Sequence, residues 1–292
     1  MGEIVVGIDF GGPARASAQR RKILAVAARR TSRAKYAISA QGLNQRLLQH
    51  PPGWTAQELA DSIVVSKPRV SVVGADFPFS IPAALLALRS FASLANQTGA
   101  FATWAAFNKA IAAALPLTCP VDYAPFARWR DKAFWLKRDC DVGSGAQPPL
   151  KHHFQVLFNM TLLGNGFLAR LEQSGLFDVV PFQSRGRAPV IEVYPGHMMR
   201  ALAVPDYKRA PRKAIHAAAA HLGRAGITVE IDPAIRAVCE SWDTGRNGVH
   251  DYDAADALVA ASLAILHREG RARETVPAGA SRRHLEGAIW SI

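Results

Sequence analysis

The chain has 292 residues, of which 49% are hydrophobic and 20% are charged. This composition is typical of a folded protein with a large core, and it excludes a disordered or low-complexity chain. Lys and Arg number 35 against 23 Asp and Glu, and the resulting net charge of +12 favours a polyanionic partner, with nucleic acid first and a membrane surface second. A basic surface that serves solubility alone is the alternative.

The three cysteines, Cys119, Cys140 and Cys239, have neither the spacing of a metal site nor that of a disulfide framework, which favours a reducing cytoplasm. The first residues do not form a basic and apolar signal segment. The apolar stretch 81–95 is interrupted by Arg89 and is too short to cross a bilayer. We therefore expect a cytoplasmic protein without a membrane segment.

Three short apolar runs near the start of the chain predict strands at Ile4–Phe10, Lys22–Ala28 and Tyr36–Ser39. Three successive strands with short connections favour an antiparallel meander. A capping-box sequence, Thr-Ala-Gln-Glu, then predicts a helix over Thr55–Ser66. The apolar run Val70–Asp76 follows and predicts a fourth, buried strand.

Residues 83–187 differ in composition from the preceding part of the chain, because alanine-rich and aromatic stretches at helical spacing dominate them. They predict a helical insertion with helices at Ala83–Ala95, Trp104–Leu115, Phe126–Lys137 and His153–Gln173. A fifth strand is predicted at Pro189–Pro195, and later helices at Ala210–Gly223, Pro233–Glu240 and from Asp251 to Leu266. The pattern predicts one α/β domain over residues 1–292, with a mixed five-stranded sheet flanked by helices and with the insertion between strands four and five.

Five acidic residues are placed where they could meet. Asp9 and Asp76 end the first and fourth predicted strands, and Glu192 lies inside the fifth. Asp253 and Asp256 are three apart and project from the same face of the final helix. If the first and fourth strands are neighbours, these carboxylates converge at one edge of the sheet, where α/β proteins bind their ligands. Clustered carboxylates of this kind are typical ligands of Mg²⁺ or Mn²⁺.

Some of these acids also have a simpler, purely structural interpretation. An aspartate after a strand is often a turn former, which would explain Asp9 and Asp76. Acids at the start of a helix favour the positive end of its dipole, which would explain Asp253. Asp256 is harder to explain in this way, since it lies deeper among alanines and leucines. Glu192, between two apolar strand residues, needs a partner if it is buried.

Several segments together resemble the family of predicted RNase H-like nucleases: Gly7–Gly12, Gly74–Pro82, Ile191–Pro195, Asp253–Leu258 and Glu286–Trp290. The resemblance implies an RNase H-like fold in which the first strand, the fourth strand and the last helix bring acids to a magnesium site. Asp9, Asp76, Asp253 and Asp256 match those places, and the two acids three apart in the last helix are closer to the Holliday-junction resolvase pattern. The first helix offers no clear matching acid, because Glu58 belongs to the capping box.

Basic residues near aromatic ones could hold a nucleic acid. The stretch 128–138 alternates the two types, as proteins that stack on nucleobases do, although an amphipathic helix with its tryptophans in the core is the simpler interpretation. Residues 207–209 and 212–213 are interpreted as solvated basic surface. The candidate substrate-binding residues are Arg128, Arg130, Arg138, Arg187 and His250.

The first functional hypothesis is a magnesium-dependent or manganese-dependent nuclease that hydrolyses DNA or RNA by a two-metal-ion mechanism. A non-catalytic nucleic-acid-binding or scaffold protein with the same fold is the second. A third, an ATPase of the actin and sugar-kinase type, rests on the Asp9–Gly12 loop and lacks a second Gly-rich phosphate loop. The sequence leaves open whether the protein is a homodimer, whether its substrate is DNA or RNA, and whether it is an endonuclease or an exonuclease.

Overall fold

The structure is a computed structural model, which describes residues 2–94, 96–153, 157–240, 253–275 and 282–292. Within these residues, nine strands form one mixed sheet that carries helices on both faces. The strands are β1 (Ile4–Phe10), β2 (Ile23–Ser32), β3 (Lys35–Ile38), β4 (Val70–Asp76), β5 (Phe177–Val180), β6 (Ala188–Val193), β7 (Thr228–Ile231), β8 (Arg273–Glu274) and β9 (Ile289–Ser291).

The helices of the described residues include twelve α-helices and four short 3-10 helices. The α-helices are α1 (Ala16–Arg20), α2 (Ala56–Val65), α3 (Ala83–Leu86), α4 (Arg89–Ser93), α5 (Trp104–Ala114), α6 (Asp139–Ser144), α7 (Leu157–Gln173), α8 (Pro195–Ala201), α9 (Pro211–Arg224), α10 (Pro233–Glu240), α11 (Asp253–Arg268) and α12 (Arg283–Glu286). The 3-10 helices are Gly42–Leu48, Ala124–Arg130, Lys132–Phe134 and Tyr207–Arg209. None of the described helices is long and apolar enough to cross a membrane.

The strands lie in the order β7-β3-β2-β1-β4-β6-β9-β8, and β5 pairs with β6. The meander β1-β2-β3 is antiparallel, whereas β1, β4 and β6 run parallel to one another. The prediction of a mixed α/β sheet with a leading meander is confirmed. The predicted number of five strands is wrong, because β5, β7, β8 and β9 add short edge pairings of two to four residues. Since β5 lies within residues 83–187, that segment is not wholly helical.

The sheet separates two apolar cores. Because side chains alternate along a strand, Ile8 of β1 and Ala75 of β4 face the core that α2 forms with the insertion, including its helices α5 and α7. On the other face, Val5 and Val72 face the core formed with α9, α10 and α11. The sheet thus separates the insertion from the final long helix, and this decides which acids can meet.

Two predicted helices of the insertion take a different form. Ala83–Ala95 is divided into α3 and α4, and Phe126–Lys137 is replaced by two 3-10 helices. Asp131, between those 3-10 helices, accepts a hydrogen bond from the main-chain N–H of Ala133, and such local bonds compete with helix formation. Trp129 is fully buried and stacks on Phe91, with ring centroids 4.3 Å apart, which confirms the simpler interpretation of this residue as core.

Candidate metal centre

Asp9 and Asp76 lie side by side at the carboxyl ends of β1 and β4. The two strands are parallel, and their register pairs Asp9 directly with Asp76. Asp256, in the first turn and a half of α11, completes a cluster in which one carboxylate oxygen from each residue lies within 4.8 Å of the others. The expectation that these three acids converge is therefore confirmed within the part of the chain that the structure describes.

Two glycines allow α11 to approach the sheet so closely. Gly7 and Gly74 are paired in the register of β1 and β4 and face α11. A Cβ atom on Gly7 would lie 1.8 Å from the main-chain nitrogen of Ala261, so a glycine is required there. From Gly7, two residues toward the end of β1 advance about 7 Å, and four to five residues toward the start of α11 cover about the same distance. The close contact therefore brings Asp256 level with Asp9.

The pKa values of the three clustered acids are raised. Burial, followed by repulsion from Asp253, Asp256 and Asp76, raises the pKa of Asp9 well above its usual value. Burial and repulsion from Asp256 do the same for the pKa of Asp76. Burial also raises the pKa of Asp256 to about 6, although the positive charge of Lys208 opposes that shift. Such mutual repulsion in a buried place is relieved by a proton or by a cation.

Two lysines approach the outer acids. The Nζ atom of Lys22 lies 2.9 Å from Oδ2 of Asp253, and the Nζ atom of Lys208 lies 3.7 Å from Oδ2 of Asp256. The lysine side chains remain 31% and 49% exposed, whereas both aspartates are buried. Oδ1 of Asp256 is buried and has no hydrogen-bond partner within the described ranges. One carboxylate oxygen of Asp256 is thus still available to a ligand.

Glu192, predicted as a catalytic acid, is not part of this cluster. It pairs with Ala75 in the register of β6 and β4, so its side chain projects on the face opposite to that of Asp76. Its Oε2 accepts hydrogen bonds from the main-chain N–H of Phe79, at 3.0 Å, and from Arg138, at 2.8 Å. Its carboxylate therefore orients the loop after β4. Glu192 nevertheless lines the same cavity as the three converging acids, and its catalytic role stays a prediction.

Arg138, predicted to bind substrate, is 1% exposed and is held by carboxylates of the protein. Its Nη2 lies 2.5 Å from Oε1 of Glu192 and 2.7 Å from Oδ1 of Asp141. Its Nη1 also donates to the main-chain oxygen of Glu286, and the Glu286 carboxylate accepts from the main-chain N–H of Ala83. This buried network explains why strand-interior Glu192 is tolerated. Arg138 lines the same cavity as the acids while these carboxylates hold its guanidinium, and its substrate-binding role stays a prediction.

The other predicted substrate contacts lie outside the acidic centre. Arg128 is exposed on the 3-10 helix of residues 124–130, and the guanidinium of Arg130 lies over the ring of Phe158 at 5.1 Å. Arg187 precedes β6 at the amino end of that strand, so about six strand residues, or ~20 Å, separate it from the level of the acids. None of these three lines the acidic cavity. His250 and the predicted helix cap Asp251 lie outside the described residues.

The acids line a cavity of about 630 Å³ that also reaches the insertion. The start of α7 contributes Leu157, Asn159 and Met160 to its wall, and Lys22 and Lys208 line it as well. Sequence reasoning missed these residues. Lys22 begins a predicted strand, and Lys208 belongs to a basic stretch interpreted as solvated surface. Nothing in either segment signals a distant acid.

The chain was compared with protein-family models, with curated proteins and with solved structures. None of the three comparisons finds a significant match.

Proposed function

We propose that the chain is a metal-dependent nuclease with an RNase H-like arrangement of acids, and that it hydrolyses phosphodiester bonds of DNA or RNA. The observation that carries this proposal is the convergence of Asp9, Asp76 and Asp256 at the carboxyl ends of two parallel strands. Asp253, one turn earlier in α11, lines the same cavity. The surplus of positive charge, +12 over the chain, suits a polyanionic substrate.

The donor set fits Mg²⁺ or Mn²⁺. All the converging ligand atoms are carboxylate oxygens, which hard divalent cations prefer. The buried oxygen of Asp256 that has no partner in the described chain is the place where a cation would satisfy an otherwise costly polar atom. When bound, such ions supply an activated water and stabilise the leaving oxygen of an in-line displacement.

The protein's own residues have distinct tasks in this proposal. Asp9, Asp76 and Asp256 hold the cation, with Asp253 as a further ligand. Lys22 and Lys208 keep the outer oxygens of Asp253 and Asp256 oriented and add positive charge at the rim. That charge attracts the phosphate of the substrate to the place where the carboxylates alone would repel it.

The lysine contacts are also the observation that favours a second candidate function. If Lys22 and Lys208 neutralise the acids permanently, the protein is a nucleic-acid-binding protein without catalytic activity. Its binding would weaken steeply with salt, as phosphate contacts do. It would show no turnover with Mg²⁺ or Mn²⁺.

The test is cleavage of labelled single-stranded and duplex DNA and RNA by the purified chain, with Mn²⁺ or Mg²⁺ and with a chelator. We expect metal-stimulated cleavage that Asp9→Asn and Asp256→Asn each abolish without loss of folded structure. The matched control is Asp61→Asn, since Asp61 pairs with Arg170 at the surface, 2.8 Å away. Wild-type cleavage by Asp9→Asn would contradict the proposal, and salt-dependent binding without cleavage would support the second candidate.

A further inference from the structure

Helix α7 is fixed beside both strands that carry the central acids. A Cβ atom on Gly12, which follows β1, would lie 2.4 Å from the main-chain carbon of Asn159. A Cβ atom on Gly164 would lie 2.3 Å from the ring of Phe77, which follows β4. These close approaches place α7 directly against the ends of both strands. Its first turn therefore forms a wall of the acidic cavity.

This wall differs in chemistry from the acidic side of the cavity. Leu157 and Met160 supply apolar surface, to which Pro13 and Pro78 of the loops after β1 and β4 add. Asn159 adds an amide whose Oδ1 is buried and has no hydrogen-bond partner among the residues that the structure describes. A buried acceptor without a partner is unfavourable, and an N–H group of a ligand that reaches it from the cavity would remove this cost.

A nucleobase complements both the apolar surface and the amide oxygen of this wall. Its flat faces pack on apolar side chains, and its edge carries amino or ring N–H donors that an asparagine oxygen can accept. In a duplex those donors are used in base pairing, and a base must leave the stack before a pocket can receive it. A wall of this kind therefore selects an unpaired base.

We propose that the wall formed by the start of α7 is a subsite for an unpaired nucleobase, so that the cavity accepts single-stranded or terminal nucleotides in preference to intact duplex. The inference rests on the proposed function for the phosphate half of the ligand. The cavity volume of about 630 Å³ suits it, because pockets of ~300–1,000 Å³ enclose ligands of drug or nucleotide size rather than a duplex.

The experiment is calorimetric titration of the full chain in Mn²⁺ with AMP, with CMP and with ribose 5-phosphate, which lacks a base. We expect at least one nucleotide to bind about tenfold more tightly than ribose 5-phosphate, as one well-placed hydrogen bond and apolar contact allow. Asn159→Ala should remove most of this preference and leave the affinity for ribose 5-phosphate unchanged. Gln173→Ala, which removes an exposed amide from the far end of the same helix, should leave both affinities unchanged.

The outcomes separate this inference from the proposed function. Equal binding of nucleotides and ribose 5-phosphate, or an unchanged preference in Asn159→Ala, overturns the base subsite and leaves the metal site standing. Base-dependent binding without any cleavage supports the subsite and overturns the nuclease. If none of the three ligands binds in Mn²⁺, the base subsite is overturned, and the cleavage assay decides the nuclease separately.

Discussion

At the scale of single residues, the guanidinium of Arg138 is the centre of a buried network of charges. It holds Asp141, three residues away in the chain, and Glu192, on the far side of the insertion. All three side chains are almost completely buried. Burial of one member without its partners would leave a charge with no compensation in a low-dielectric place, so the three residues act as a unit.

Arg138→Ala should therefore destabilise the protein strongly. It leaves the carboxylates of Asp141 and Glu192 without their cation, and removal of one member of a buried pair costs about 3–5 kcal/mol. Arg128→Ala, an exposed arginine of the same insertion, is the control and should change the free energy of unfolding by less than about 0.5 kcal/mol. Urea denaturation followed by circular dichroism measures both. Equal stability of the two variants would show that the network contributes nothing.

The same network marks the limit of prediction from sequence at this scale. Asp9 and Asp76 could be predicted because each ends an apolar run, and the ends of parallel strands meet. The partner of Glu192 could not, since nothing near it in the chain distinguishes Arg138 from the other arginines. The contact of Lys208 with Asp256 could not be predicted either, because it depends on how α8 and α9 return to the sheet.

At the scale of elements, the contact between α11 and the two central strands sets the geometry of the site. The long runs β1, β4 and α11 were predictable, because strong apolar periodicity specifies them. The strands β7, β8 and β9 were not, since two to four residues with mixed polarity become strands only by pairing with a neighbour. Tertiary pairing thus decides the edges of the sheet, whereas local pattern decides its centre.

Gly7→Ala tests this contact. The added methyl group would overlap the main chain of α11 at Ala261, and overpacking of this kind typically costs about 1–3 kcal/mol. Because the helix must shift, we also expect weaker Mn²⁺ binding, measured by calorimetry. The control is Gly223→Ala in α9, where an added Cβ meets nothing within 4 Å and alanine is the better helix former. Unchanged stability and metal affinity in Gly7→Ala would contradict the role given to this glycine.

At the scale of the whole molecule, the acidic cluster opposes folding at neutral pH. The pKa of Asp256 is raised from 3.8 in the unfolded chain to about 6 in the fold. For an acid with a raised pKa, the folded state binds the proton more tightly. The contribution of Asp256 to the free energy of unfolding is therefore most favourable below pH 3.8, the pKa of the unfolded chain. It is lost as the pH rises through about 6, the pKa in the fold. A shift of this size corresponds to about 3 kcal/mol.

Asp256→Asn should accordingly stabilise the metal-free protein at pH 8 and change its stability little near pH 4. Its amide resembles the carboxylate in size but carries no charge, so burial and repulsion from Asp9 and Asp253 no longer oppose folding. Thermal unfolding with a chelator at both pH values measures the effect. A melting temperature below that of wild type at pH 8 would contradict it.

Metal binding should remove the stability advantage that Asp256→Asn has over wild type without metal. A cation that binds the folded state stabilises it by about 2.7 kcal/mol at one hundred times its dissociation constant, and this raises the melting temperature by about 5 °C. The rise should be larger at pH 8 than at pH 5, because protons compete for the same oxygens, and it should be absent in Asp256→Asn. The variant would then be more stable than wild type without metal and no more stable with it, as expected where a fold tolerates crowded charges for the sake of a ligand.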